Sequence, residues 1–118
     1  MEKEILVVDD QPGIRLLLQE IFTNEGYKVT TAITGREALD KLYNKPYDLL
    51  ILDYKLPIMD GGKVLQQLEA ANIDIPAILM SGLAEDMIKE YQGSLVKGIL
   101  AKPFNVQYVC DLVKSILT

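Results

Sequence analysis

The chain has 118 residues, of which 49% are hydrophobic and 25% charged, the balance of one ordinary globular domain rather than a disordered segment. Its net charge of −5 argues against a nucleic-acid-binding face, and the complete absence of histidine removes His-based acid–base catalysis, catalytic triads and His-ligated zinc. The single cysteine, Cys110, leaves no internal disulfide and reads as a small core or boundary residue.

The first apolar run, Ile5–Val8, reads as a strand buried on both faces. It ends in Asp9-Asp10, two carboxylates that repel each other. The run is too short for a signal peptide or a membrane span, so a cytoplasmic location is expected. Ile14, Leu17, Leu18, Ile21 and Phe22 then form a helical stripe closed by Asn24-Glu25-Gly26, with Pro12 tolerated in its first turn. A second strand is predicted at Val29–Ala32. Thr34 caps a helix carrying Ala38, Leu39 and Leu42, which Asn44-Lys45-Pro46 ends. A third strand, Leu49–Leu52, leads into Asp53. Asp60 caps a helix with Val64, Leu65 and Leu68, although Gly62 suggests a loose start. Strands at Ala77–Met80 and Ile99–Ala101 enclose a weaker helical stripe, Ala84, Met87, Ile88 and Tyr91. The last helix carries Val109, Leu112, Val113, Ile116 and Leu117.

Strand and helix alternate five times. This predicts an α/β fold with a parallel sheet and helices on both faces. The expectation is one domain over 1–118 without an output module.

In such folds ligands bind beyond the carboxyl ends of the strands. Those ends carry Asp9-Asp10, Asp53, Ser81-Gly82 and Lys102-Pro103. Each residue taken alone is a cap, a turn former or a solvated charge. Together they bring three carboxylates, a hydroxyl and an ammonium to one edge, which five independent caps do not explain. Three carboxylates need a cation, and an all-oxygen donor set suits a hard ion such as Mg²⁺. Lys102 and Ser81 could then hold a phosphoryl group, with Asp53 as the nucleophile forming an acyl phosphate. A dehalogenase-type phosphatase would want a second aspartate two residues after Asp53, where Lys55 stands. Dinucleotide binding lacks its glycine-rich loop after the first strand.

With Asp9-Asp10, Asp53 within Leu-Asp-Tyr-Lys-Leu-Pro-Ile-Met-Asp-Gly, Ser81-Gly82 and Lys102-Pro103-Phe104, the chain resembles the receiver domains of two-component response regulators over essentially its whole length. Within that family it is most similar to the single-domain members of sporulation phosphorelays. The resemblance implies a doubly wound five-stranded parallel sheet of order 2-1-3-4-5, flanked by five helices. It implies Asp53 as phosphoacceptor from a sensor kinase phosphohistidine, passing the group on to a histidine phosphotransfer protein. Asp10, Asp53 and the backbone carbonyl of Lys55 would bind Mg²⁺, with Mn²⁺ or Ca²⁺ as substitutes and Asp9 helping directly or through water. Ser81 and Lys102 would contact the phosphoryl group, and Lys102-Pro103 would be cis.

Gln11, Pro12, Gly13, Ile14, Lys55, Leu83, Pro103 and Phe104 are the implied partner contacts, with Leu17 or Leu18 as further candidates and most of the first helical stripe left to the core. Partners of this kind would include a phosphatase acting on the aspartyl phosphate. The chain is expected to be a monomer that binds neither nucleic acid nor membrane. Ile99 stands where the family often has an aromatic switch residue. That departure weakens the alternative reading, a chemotaxis-like switch that binds a target when phosphorylated. Neither Lys55 nor Leu83 is an acid or amide that could position water, so a slowly hydrolysed acyl phosphate is expected.

Overall fold

The structure, a computed structural model, describes residues 2–82 and 94–118. Five strands form one sheet: β1 (Glu4–Val8), β2 (Lys28–Ala32), β3 (Leu49–Asp53), β4 (Ala77–Ser81) and β5 (Val96–Ala101). All neighbours run parallel, in the order β2-β1-β3-β4-β5. Four helices accompany them among the described residues: α1 (Pro12–Asn24), α2 (Gly35–Asn44), α3 (Gly61–Ala70) and α4 (Val106–Leu117). The fifth expected helix, on Ala84, Met87, Ile88 and Tyr91, lies outside the described residues, as does Leu83.

The central strands β1, β3 and β4 are apolar at nearly every position because helices cover both of their faces. Successive side chains alternate between two cores. Leu6, Val8, Leu50, Leu52, Ala77 and Leu79 face α2 and α3, while Ile5, Val7, Leu49, Ile51, Ile78 and Met80 face α1 and α4. A one-residue slip of any of these strands would exchange the two sets, so the register is strongly specified.

The expectations for the last strand and for the first helical stripe change in the packed structure. Strand β5 begins at Val96, three residues before its apolar run. It is an edge strand whose burial alternates, so its first half lacks the continuous apolar signature. Helix α1 rests on the sheet through Leu18 and Phe22, with Ile14 and Ile21 half-buried beside them. Leu17 faces outward, 39% exposed, and Leu16 lies further out. Leu17 therefore belongs to the rim of the stripe and not to the core.

Helix starts follow the expected chemistry. The Thr34 hydroxyl accepts from the Glu37 N–H at 3.0 Å, and the Glu37 carboxylate accepts from the Ile33 N–H at 2.7 Å. Each side chain thus satisfies a donor that the helix leaves open. Thr34→Ala is expected to cost about 1 kcal/mol, read as a lower urea midpoint with an unchanged m value. Asp60 caps α3 by accepting from the Lys63 N–H at 2.9 Å. The loose start expected from Gly62 is not found. That glycine is buried, and a Cβ there would lie 3.4 Å from the Tyr54 ring.

Candidate functional site

Beyond the carboxyl ends of β1, β3 and β5 opens a pocket of about 520 Å³, lined in part by Asp10, Gln11, Asp53, Lys55 and Lys102. It lies where the chain leaves β1 toward one face and β3 toward the other, the place where an open parallel sheet leaves a crevice. The rigid strands set the carboxylates at its base. Asp9, Asp10 and Asp53 each offer an oxygen within 4.8 Å of the others.

The three carboxylates sit in different surroundings. Asp9 is fully buried and its groups are engaged. One carboxylate oxygen accepts from the Gln11 N–H at 2.9 Å and the other from Lys102 Nζ at 2.7 Å. Its backbone carbonyl accepts from Arg15 Nη1 at 2.9 Å. Asp10 is exposed toward the pocket mouth. Asp53 is only 5% exposed and lies 3.4 Å from Lys102 Nζ.

Burial, and then the Asp9 charge, push the Asp53 carboxyl above its ordinary 3.8, against the pull of Lys102 and of a hydrogen bond from the Lys55 backbone. One ammonium therefore does not balance the cluster, and burial makes the residual repulsion costly. Three oxygen donors with excess negative charge and no nitrogen or sulfur ligand are the donor set of a hard divalent ion. The residues present fit Mg²⁺.

Lys102 reaches Asp9 and Asp53 because β5 ends beside β4. The Lys102 N–H donates to the Ser81 carbonyl at 2.8 Å, and the Lys102-Pro103 peptide is cis. Ser81 is buried at the end of β4. Lys102 Nζ also lies 3.3 Å from Gln11 Oε1. At the far side of Asp53, Gly61 lets α3 approach the strand. A Cβ on Gly61 would lie 2.8 Å from the Asp53 carbonyl oxygen and 2.9 Å from Tyr54 Cα. The Gly61 N–H meanwhile donates to the Tyr54 carbonyl at 2.7 Å.

The structure thus brings together Asp9, Asp10, Asp53, Lys55, Gln11 and Lys102, with Ser81 adjoining at the end of β4. Pro12 and Gly13 are exposed at the start of α1, and Pro103 is exposed after β5. Ile14 and Phe104 are half-buried and pack on the core under α1 and α4. Sequence reasoning missed Gln11 as a lysine partner, Leu56 and Pro57 as lining residues, and the tight fit of Gly61. The Pro57 that precedes Ile58-Met59-Asp60-Gly61 signals a structured turn there. The other contacts depend on elements distant in sequence.

The response regulator receiver domain model matches residues 5–114. Sporulation initiation phosphotransferase F of Bacillus subtilis is 41% identical over 118 residues, which are 99% of this chain and 95% of that protein. The alkaline phosphatase synthesis transcriptional regulatory protein PhoP of the same organism is 38% identical, with 99% of this chain covering 49% of its length. Among solved structures, the response regulator TrrA of Thermotoga maritima, in complex with Mg²⁺ and BeF, shares 36% identity at a TM-score of 0.82, covering 98% of this chain and 99% of that one. CheY4 of Vibrio cholerae superposes at a TM-score of 0.91 with 27% identity, covering 99% and 100%. With the acidic pocket and the 2-1-3-4-5 sheet already in place, these matches make the chain a member of the response regulator receiver domain family.

Proposed function

We propose that this receiver is a phosphorelay intermediate, taking a phosphoryl group from the phosphohistidine of a sensor kinase onto Asp53 and handing it to a histidine phosphotransfer protein. The observation that carries the reading is Asp53 at the base of an open pocket, with Lys102 Nζ 3.4 Å away and two further carboxylates beside it. Similarity to a sporulation phosphotransferase over 95% of that protein's length supports the relay over other receiver roles.

In the forward step an Asp53 carboxylate oxygen forms a bond to phosphorus as the donor's N–P bond breaks. The imidazole nitrogen leaves with the bonding pair. Asp10, Asp53 and the Lys55 carbonyl would hold Mg²⁺, which supplies positive charge against the carboxylates and the incoming phosphoryl oxygens. Asp9 already accepts from Gln11 and Lys102, which supports an indirect role for it and direct ligation by Asp10. Lys102 would exchange its contact with Asp53 for one with a phosphoryl oxygen, and the Ser81 hydroxyl would take another. Lys55 brings no acid or amide to the pocket to orient water, so the acyl phosphate should persist long enough to be passed on.

The test is phosphotransfer from sensor kinases labelled with radioactive ATP, with and without Mg²⁺, and then onward to a histidine phosphotransfer protein. Label should reach wild type, leave again to the acceptor, and fail to reach Asp53→Ala. Labelling that survives Asp53→Ala, or proceeds unchanged in excess chelator, sinks the mechanism. Phosphorylation-dependent capture of a target that has no acceptor histidine would favour the stand-alone switch. Among the described residues no helix is long and apolar enough to cross a membrane. A cytoplasmic monomer, served also by an aspartyl-phosphate phosphatase, is the setting this reading expects.

A further inference from the structure

The loop from Asp53 to the cap of α3 contains a residue whose conformation and exposure both run against its chemistry. Ile58 has φ +69°, and its side chain is fully exposed, at 108% of the reference area. The Met59 N–H donates to the Pro57 carbonyl at 2.7 Å, closing a three-residue γ-turn with Ile58 at its centre. That positive-φ turn is strained for any L residue. A β-branched side chain is among the least suited to it, whereas glycine or asparagine adopts it readily. Backbone strain of this kind clusters at functional sites and ligand clamps, and Ile58 buries nothing within this chain to offset it. Its neighbour Pro57 lines the pocket that holds Asp53, so the exposed isoleucine directly follows a lining residue in the chain.

We infer that Ile58 is an apolar anchor for the protein that carries the phosphohistidine, and that it sets the specificity of phosphoryl transfer without taking part in the chemistry. The inference rests on the reading of Asp53 as phosphoacceptor. Asp53 is 5% exposed, so a macromolecular donor can reach it only by covering the pocket mouth, which puts Ile58, next to Pro57, into the contact. A small donor such as acetyl phosphate enters the pocket without touching it. The partner's complementary feature is an apolar patch beside its phosphohistidine that shields this side chain from water.

The experiment compares wild type with Ile58→Gly, Ile58→Asn and Ile58→Leu. Three readouts are taken: thermal midpoint, labelling by acetyl phosphate, and transfer from the sensor kinases of the source genome. Ile58→Gly and Ile58→Asn should melt at or above wild type, since the strain is relieved, and should label normally with acetyl phosphate. Their transfer from the kinase should fall by about tenfold in kcat/KM, carried by KM, as expected for losing one buried aliphatic contact. Ile58→Leu should retain most of the transfer. Equal kinase transfer in Ile58→Gly and wild type would overturn the inference, as would a concentration-dependent dimer of wild type that Ile58→Gly dissolves. Acetyl phosphate labelling with no transfer from any of those kinases would overturn it as well. Failure of acetyl phosphate to label wild type at all would instead strike the assignment of Asp53.

Discussion

Asp53→Asn is expected to raise the thermal midpoint in divalent-free buffer at neutral pH, by roughly 4 °C for a gain of about 1 kcal/mol in a domain of this size. The carboxylate removed is buried beside Asp9, and its folded-state pKa lies above the ordinary 3.8, chiefly because of that burial. For a carboxyl shifted upward, folding favours the protonated form. The penalty is absent below the unfolded value near 3.8, grows as pH rises through the folded value, and is complete above it. The advantage of the asparagine variant should therefore shrink as the buffer is taken down toward 3.8.

Mg²⁺ should reverse the ranking. An ion that binds only the folded state stabilises wild type by about 2.7 kcal/mol at a concentration of 100 times its Kd. Asp53→Asn, with a ligand and a charge removed, should gain much less. Differential scanning fluorimetry across pH and Mg²⁺ concentration measures both effects. A variant that melts below wild type without metal, or gains as much from Mg²⁺, would show that the cluster is not under the strain described.

Gly61→Val should be the most damaging single change near the site that leaves every charged group in place. The new Cβ would meet the Asp53 carbonyl oxygen at 2.8 Å and Tyr54 Cα at 2.9 Å. Both are backbone atoms, with no flexible side chain to yield. The α3 start or the end of β3 must therefore move, at a cost of about 1–3 kcal/mol, and the displacement falls on the peptide that carries Asp53. Both the urea midpoint and the Mg²⁺-induced shift in melting temperature should drop. Gly13→Ala is the counter-case. Its Cβ would meet nothing within 4 Å, and it lies inside α1, so helix propensity should leave stability equal or higher by up to about 1 kcal/mol. Similar losses in the two variants would mean that the close approach at Gly61 is not what constrains that position.

The contrast between these glycines marks where the sequence stops being legible. The buried runs of β1, β3 and β4, the Thr34 and Asp60 caps, and the cluster of acidic, hydroxyl and ammonium groups at strand ends are all local patterns. Periodicity and residue chemistry reveal them directly, and the sheet order followed from resemblance to a known family. The outer half of β5 was hidden because an edge strand alternates in burial and carries Lys97 and Gly98. Which of Leu17 and Leu18 faces outward was not legible, because a helical stripe has a rim and only the seating of α1 on the sheet decides which residue crosses it. Gly62 and Gly61 look alike as flexible residues in sequence. Their role comes from how closely α3 meets Tyr54 and the end of β3, which no local pattern records. Gln11 and Lys102 meet across 91 residues of chain.

That separation has a consequence for when the pocket comes into being. The Asp9–Lys102 bond joins residues 93 positions apart, and β1, first in sequence, must receive β3 before its second edge is paired. Parallel strands with distant partners fold slowly, because loop entropy is spent before contacts repay it. Until β5 docks on β4, Asp9 and Asp53 lack their ammonium partner and are better solvated outside the fold. The carboxylates therefore oppose closure of the strand ends without β5, the strand that Lys102 directly follows. On the proposed reading of Asp53 as phosphoacceptor, a nascent or partly folded chain would hold it without Lys102 beside it, and competence for phosphoryl transfer would coincide with completion of the fold.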